Sequence, residues 1–221
     1  MNRVPDILPK SADQKGLALF DFDGTITTGD SFMAMIRSEL GDLRVSLGFI
    51  RWFPWLIGYL MGIVDRTAIK NHVLGWAFGG WHRDTIEERS RHFAEHILPG
   101  YVRQDAWNRI REHQERGDLV CVVTASPEVW IKPWCEAHGF VCIGSKLAYD
   151  EAGIFLGRLE GANCHGPEKV RRIREAVPIE DYAIRYAYGD TKGDLPMLEL
   201  AHHRGYKVFR SGPQLTKIER D

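Results

Sequence analysis

Asp21 and Asp23, two aspartates one residue apart, are the pair in this sequence that is best placed for catalysis. They follow an apolar run, residues 17–20, that is typical of a buried parallel strand, and Gly24 and Thr25 then turn the chain away. Ligands of open α/β sheets bind at the carboxyl ends of the strands, where this pair would lie. Two carboxylates set at different angles around a ligand allow one to attack while the other transfers protons.

Three further elements follow in a fixed order along the chain. A second apolar run, residues 119–123, ends in Thr124, and Lys169 lies at the start of a helical pattern. Asp190 and Asp194 then follow a third strand-like segment. Taken singly, each element has an ordinary structural explanation: a helix cap, a solvated lysine, and a loop with a favourable charge at a helix N-terminus. Their combination in this order favours a catalytic site.

The ordered set resembles the haloacid dehalogenase superfamily of phosphohydrolases, and the resemblance covers residues 17–209. The sequence is most similar to the subfamily IB branch, which includes phosphoserine phosphatase and the bacterial phosphatidylglycerophosphatase C. The resemblance implies a Rossmann-like core with a helical cap inserted just after the first motif.

Hydrolysis of a phosphate ester needs a nucleophile, proton transfer and charge neutralisation. Asp21 is the candidate nucleophile, because a carboxylate can form an aspartyl-phosphate and so divide a difficult step into two. Asp23 is the candidate general acid and base, which would protonate the leaving oxygen and then activate water. We therefore expect a phosphomonoester hydrolase that acts through Asp21.

Carboxylates that face a phosphate repel it, and a divalent cation would offset this repulsion. Oxygen ligands from Asp21, Asp190 and a backbone carbonyl suit Mg²⁺, and the resemblance implies that the carbonyl is that of Asp23. Asp194 would hold a metal-bound water or orient Lys169. We therefore expect Mg²⁺ as the cofactor.

The expected phosphate-binding groups are the hydroxyl of Thr124, the backbone N–H groups of Ala125 and Ser126, and the ammonium group of Lys169. Turns from a strand into a helix aim such donors at phosphate oxygens, and a lysine adds a positive point charge. Asp30 is a weaker candidate. The phosphoserine phosphatases usually carry Glu at this place to bind the substrate amine, and an N-cap of the next helix is an equally good explanation.

The remaining pattern predicts the elements that position these residues. Helices are expected at 101–116, 128–138, 167–176 and 195–201, strands at 119–124, 140–143, 185–188 and 206–209, and a hairpin at 147–156. Such alternation predicts an α/β fold, a parallel sheet with helices on both faces. Residues 30–98 show helical periodicity and would form the inserted cap, with the core at 17–29 and 99–221 and a flexible tail at 1–16.

Residues 52–64 form an uncharged run that is rich in Trp and Tyr, and it has two interpretations. It is either a core helix of the cap, buried all round, or an apolar surface that meets a lipid tail or a bilayer. The second interpretation, with the resemblance to phosphatidylglycerophosphatase C, favours a lipid-like phosphate as the substrate. A small metabolite such as phosphoserine, and a regulatory relative that only binds phosphate or metal, are the alternatives.

Composition limits the remaining functions. With a net charge of −1 and no aromatic residues interleaved with a basic patch, the chain is not expected to bind nucleic acid. The N-terminal residues lack the apolar core of a signal peptide, and the four cysteines lack a C-x-x-C spacing. We therefore expect a cytoplasmic protein, with membrane association through the cap as an alternative. The sequence indicates no protein partner.

Overall fold

A computed structural model describes residues 16–210 and 219–220 of the chain. Its strands are β1 (Gly16–Asp21), β2 (Leu119–Pro127), β3 (Val141–Tyr149), β4 (Phe155–Glu160), β5 (Ile184–Gly189), β6 (His203–Tyr206) and β7 (Glu219–Arg220). They form one sheet in the order β4-β3-β2-β1-β5-β6-β7. The neighbours from β3 to β6 are parallel, and β4 and β7 add antiparallel strands at the two edges.

The helices are α1 (Ser31–Leu60), α2 (Arg66–Phe78), α3 (Arg83–His92), α4 (Gln104–Glu115), α5 (Glu128–Ala137), α6 (Pro167–Ala176) and α7 (Leu195–Leu198). Helices α1 to α3 lie between β1 and β2 in the chain. Short helical turns complete the described elements, and one of them, Lys192–Asp194, lies between β5 and α7.

The central strand β1 is buried on both faces of the sheet. Leu17 and Leu19 belong to one hydrophobic cluster, and Ala18 and Phe20 belong to another. Because side chains alternate along a strand, these clusters lie on opposite faces of the sheet. The first includes Ile173 of α6 with Leu17 and Leu19, while the second draws on α1, α2, α4 and α5. This confirms the predicted α/β fold, a parallel sheet with helices on both faces.

Several element boundaries differ from the sequence-based prediction. The last predicted strand, at 206–209, instead lies at His203–Tyr206, and Lys207 has a φ of 60° that breaks the extended backbone there. Helix α7 ends at Leu198 rather than at 201. The predicted tail lies outside the described residues except for Gly16, which begins β1.

Helices α1 to α3 pack partly on one another and partly on the sheet domain. Helix α2 packs against α1 and against β4, and α3 packs against α5. At one point α2 approaches β4 so closely that a Cβ on Gly157 would lie 2.8 Å from the Cα of Gly75. The division into a core (17–29 and 99–221) and a cap (30–98) stays a prediction.

The long helix α1 is apolar on two sides. It is kinked at Gly41, where φ is 75°, and it contains Pro54. Its inner side buries Val45 and Trp52, whereas Phe53 and Leu60 on its outer side are exposed. The apolar run is therefore not buried all round. Within the described part of the chain, no helix is long and apolar enough to cross a membrane.

Candidate active site

The candidate site lies where three parallel strands end. Asp21 is the last residue of β1, Ser126 lies near the end of β2, and Asp190 directly follows β5. Because β1 is paired in parallel with both β2 and β5, the carboxyl ends of these strands meet at one edge of the sheet. All three residues line a cavity of about 470 Å³, which residues of α1 and α2 also line.

Lys169 joins two of the predicted aspartates. Its Nζ lies 2.5 Å from Oδ1 of Asp21 and 2.7 Å from Oδ1 of Asp194, and it also donates to the carbonyl oxygen of Val123 at 2.9 Å. Burial alone would lower the pKa of Lys169, but the two carboxylates more than offset this and raise it above its ordinary value. The two carboxylates therefore favour the protonated, charged form of this lysine.

The same burial acts on the carboxylates with different results. Burial raises the pKa of Asp21 to about 7, against the opposing effect of Lys169. Burial also opposes ionisation of Asp194, but Lys169 and the hydrogen bonds from Thr191 lower its pKa below the ordinary value. A divalent cation beside Asp21 would favour its charged form.

The carboxylates of Asp21, Asp190 and Asp194 form a buried cluster, with oxygens within 4.8 Å of one another. Oδ2 of Asp194 accepts hydrogen bonds from the backbone of Asp190 and from both the backbone and the hydroxyl of Thr191, while its Oδ1 accepts from Lys169. Asp194 thus accepts four hydrogen bonds, so it is better suited to orient its neighbours than to bind an ion directly.

Asp21 and Asp190 accept two hydrogen bonds each, half as many as Asp194, and they are the carboxylates of the cluster that could also hold a cation. The hydroxyl of Thr25 lies 3.0 Å from Oδ2 of Asp21 and 3.3 Å from Oδ1 of Asp190, and the guanidinium of Arg210 donates to Oδ2 of Asp190. An all-oxygen donor set of this kind fits Mg²⁺.

Gly24 allows the turn after β1 to close against this cluster. Its φ is 83°, and a Cβ at this position would lie 2.5 Å from Oδ2 of Asp190. A glycine therefore satisfies both the left-handed backbone and the close approach.

Asp23 faces a set of hydroxyl and amide donors. Its Oδ1 accepts from the backbone N–H of Ser31 at 2.6 Å, and its Oδ2 accepts from the hydroxyl of Ser126 at 2.7 Å. The hydroxyls of Ser31 and Ser126 also lie 3.0 Å apart. Asp23 is therefore bonded to the first residue of α1 and to β2, and it is not part of the cluster of Asp21, Asp190 and Asp194.

The residues predicted as a phosphate-binding turn, 124–126, belong to the last part of β2, where the pairing with β3 is irregular, and some of their donors are already engaged. Thr124 is fully buried and is not one of the described residues that line the cavity, whereas Ala125 and Ser126 are. The hydroxyl of Thr124 accepts from the backbone N–H of Ser126 at 3.0 Å and lies 3.4 Å from Oδ2 of Asp23. Binding of a phosphate through these groups would need residues 124–126 to exchange these hydrogen bonds.

Helix α2 contributes residues that the sequence-based prediction missed. Nζ of Lys70 donates to the carbonyl oxygen of Ala125 at 2.8 Å and to Oδ1 of Asn163 at 3.1 Å, and burial lowers its pKa to about 8. One helical turn earlier, Nη1 of Arg66 lies 3.1 Å from Nε2 of His165. Their spacing of four residues on one helix was the signal available in the sequence.

Asp30 caps α1. Its Oδ1 accepts from the backbone N–H groups of Phe32 at 2.8 Å and Met33 at 3.3 Å. The residue also lines the cavity, and burial, together with the charge of Asp23, raises its pKa. The capping role is therefore confirmed, and a role in substrate binding stays a prediction.

Comparisons with known proteins agree with this geometry. Residues 18–199 match the family of haloacid dehalogenase-like hydrolases. Protein CicA of Caulobacter vibrioides is 37% identical over 202 residues, which are 89% of this chain and 88% of that protein. The histidinol-phosphatase of Neisseria meningitidis serogroup C is 28% identical over 198 residues, which cover 84% of this chain and 87% of that one.

A solved structure shares the fold. A phosphoserine phosphatase in the form of a phospho-aspartyl intermediate analogue superimposes with a TM-score of 0.60, at 19% identity, over 94% of this chain and 95% of that one. The family match spans the strands that carry Asp21, Thr124 and Asp190, as well as Lys169. The chain belongs to the family of haloacid dehalogenase-like hydrolases.

Proposed function

We propose that the protein is a magnesium-dependent phosphomonoester hydrolase that acts through an aspartyl-phosphate on Asp21. The observation that carries the proposal is the buried Asp21 carboxylate, held between Lys169 and Thr25 at the wall of a cavity and within an acidic cluster. The names of the histidinol-phosphatase and of the phospho-aspartyl form of phosphoserine phosphatase support the same chemistry.

The proposed reaction balances with two residues of this chain. An oxygen of Asp21 attacks phosphorus, the bond from phosphorus to the leaving oxygen breaks, and Asp23 gives that oxygen a proton. Asp23 then removes a proton from water as the water attacks phosphorus, which releases phosphate and restores the Asp21 carboxylate.

The remaining residues of the site supply charge and position. Lys169 would neutralise charge on the phosphoryl oxygens, and Ala125 and Ser126 would bind them at the carboxyl end of β2. Asp21, Asp190 and the backbone carbonyl of Asp23 would hold Mg²⁺. When bound, this ion would offset the repulsion between the carboxylates and the phosphate.

The test of the nucleophile is Asp21→Asn. This variant should lose turnover of an aryl phosphate by roughly a thousandfold or more, and it should form no phosphoenzyme with a labelled substrate. Asp42→Asn is the matched control, because the side chain of Asp42 is 91% exposed. Chelation of divalent cations should silence the wild type. Turnover by Asp21→Asn at the wild-type rate would rule out the covalent mechanism.

The test of the acid and base is a series of leaving groups. Asp23→Asn should slow substrates with poor leaving groups more than substrates with good ones, because only the poor ones need a proton at the departing oxygen. Equal losses across the series would count against this role for Asp23.

For the substrate, we propose a lipid-like phosphomonoester such as phosphatidylglycerophosphate, as in the phosphatidylglycerophosphatase C branch of subfamily IB. The exposed apolar side of α1 supports it, and such a substrate would bring the protein into peripheral contact with a membrane. The many charged residues that line the cavity and the name of the histidinol-phosphatase favour a small metabolite as the second candidate. The ratio of kcat/KM for a lipid phosphate to that for phosphoserine or histidinol phosphate decides between them.

A further inference from the structure

The outer side of α1 concentrates the exposed apolar surface of the molecule. Of the fifteen large apolar side chains that are exposed in the described residues, eleven lie between Leu43 and Ile63, with exposed fractions of 39–75%. We call the following five the outer face of α1: Leu47, Ile50, Phe53, Ile57 and Leu60. Spacings of three and four residues place them on one side of the helix.

The exposure of the outer face does not come from a loosely packed helix. The opposite side of α1 already packs inward, where Trp52 is 6% exposed and its ring lies 4.9 Å from that of Trp76 on α2 in a T-shaped contact. Trp55 stacks on His72 of the same helix at 4.6 Å. The outer face is thus separate from the apolar side of α1 that packs inside the fold. An exposed apolar face of this kind marks an interaction site.

The charged residues around the outer face indicate which kind of partner would bind there. Residues 43–64 contain no Asp or Glu but include Arg44 and Arg51, although the whole chain carries a net charge of −1. Both arginines are exposed, and their spacing of seven residues places them along one flank of the outer face. An apolar face flanked by arginines, with Trp and Tyr nearby, complements acyl chains beneath anionic head groups.

Helix α1 is also connected to the cavity, through a residue that lies outside the outer face. The hydroxyl of Tyr59, near the end of α1, accepts a hydrogen bond of 2.8 Å from Nε of Arg66. Arg66 in turn lines the cavity that contains Asp21. The helix that would lie at a lipid surface is therefore one side chain away from the wall of the candidate active site.

We propose that the outer face of α1 binds the surface of an anionic lipid bilayer, with the helix lying in the plane of the interface. The evidence for this docking comes from α1 alone. Only its further consequence, that docking would bring the cavity to lipid phosphates, rests on the proposed function. The absence of acidic side chains within residues 43–64, between Asp42 and Asp65, and the flanking arginines favour a bilayer over a second copy of this chain.

The test is cosedimentation of the full chain with vesicles of phosphatidylcholine and phosphatidylglycerol in equal parts. Wild type should bind them more tightly than vesicles of phosphatidylcholine alone, and salt should weaken the difference. The double variant Ile57→Gln/Leu60→Gln should bind roughly tenfold more weakly or worse, because two apolar side chains no longer enter the interface. Leu156→Gln on β4 is the control: Leu156 is a leucine of similar exposure, 48%, that is not part of the outer face, and this variant should bind like wild type.

Further measurements separate docking from chemistry. The double variant should hydrolyse a soluble aryl phosphate at the wild-type rate, since neither residue lines the cavity, and Arg51→Gln should weaken binding to anionic vesicles only. Three results would each overturn the proposal: no sedimentation of wild type, equal binding by the double variant, or a wild-type dimer that the double variant dissociates. Vesicle binding by a protein with no phosphatase activity would defeat the proposed function and leave the docking intact.

Discussion

Lys169 and Lys70, the two lysines that line the cavity in the described part of the chain, come from different regions, and their surroundings move their pKa values in opposite directions. Lys169, beside the sheet, lies between the carboxylates of Asp21 and Asp194, which raise its pKa. Lys70, from α2, donates to two uncharged oxygens, of Ala125 and Asn163, and burial lowers its pKa to about 8. The first charge is fixed by its partners, whereas the second is weakly compensated and free to respond to a ligand.

This difference assigns separate tasks to the two sides of the cavity. On the sheet side, the charged groups are held in place by strand ends and by one another, which is the arrangement that a reaction on phosphorus needs. On the side of α2, a cation bound to neutral acceptors can exchange them for an anionic ligand at little cost. We therefore expect substitutions on the sheet side to lower kcat and those on α2 to change KM.

The largest effect is expected for Lys169→Met. It should lower kcat by about a thousandfold, because the phosphoryl group loses its fixed cation. It should also lower the free energy of unfolding by about 3 kcal/mol, since two buried carboxylates lose their partner. Denaturant titration at neutral pH measures the second effect. Lys132→Met is the control, because Lys132 forms only a surface ion pair with Glu136, worth less than about 1 kcal/mol.

The difference in stability between wild type and Lys169→Met should change with pH in a direction that the pKa of Asp194 determines. A carboxyl group with a lowered folded-state pKa, such as Asp194, contributes stability above its unfolded pKa and loses it as pH falls through the folded value. The stability gap between wild type and Lys169→Met should therefore narrow in acid. A gap that stays constant would show that Lys169 stabilises the fold through packing and not through charge.

The sequence predicted the sheet side of the site far better than the side of α2. Asp21, Lys169 and Asp190 lie at strand ends or helix starts, and parallel pairing brings such positions together whatever the loops do. The structure contains the predicted strands before Asp21 and Asp190 and the predicted helix of Lys169. These three residues, each more than twenty positions from the next in the chain, therefore line the same cavity.

The contributions of α1 and α2 could not be predicted in the same way. The position of Lys70 depends on how α2 packs on β4, and that contact is set by the close approach of two glycines that carry no periodic signal. Likewise, the all-apolar run of α1 has no polar side in sequence, so periodicity could not separate the buried Trp52 from the exposed Phe53. Only tertiary packing on α2 made that distinction.

A smaller effect is expected from substitution of two glycines, one in the turn after β1 and one between α1 and α2. Gly24 and Gly62 have φ values of 83° and 73°, so alanine at either position should lower the free energy of unfolding by about 1 kcal/mol. Only at Gly24 would the new methyl group meet Asp190, because nothing lies within 4 Å at Gly62. Gly24→Ala should therefore also lower kcat about a hundredfold, by displacing a carboxylate of the acidic cluster. Equal kcat values for the two variants would contradict the close packing of the turn on Asp190.

The smallest effect is expected for Lys70→Met, and it should fall on KM. Loss of one adaptable cation should raise KM for an aryl phosphate about tenfold and leave kcat nearly unchanged. Lys70→Arg, which keeps the charge, should restore most of the affinity. A fall in kcat with an unchanged KM would place Lys70 in the chemical step and remove the distinction between the two sides of the cavity.

Titration sharpens this last prediction, because affinity and stability should move in opposite directions. Above pH 8 the folded protein begins to lose the proton on Lys70, so the KM of wild type should rise toward that of Lys70→Met. The substrate does not obscure this change, since the second pKa of a phosphate monoester is about 6.

Over the same range the unfolded chain keeps its proton on Lys70, up to its ordinary pKa of 10.5. Because the unfolded state then binds more protons, the stability of wild type relative to Lys70→Met should increase with pH while its affinity for substrate decreases. Parallel measurements of KM and of the free energy of unfolding across this range test both signs, and Lys132→Met should show neither trend.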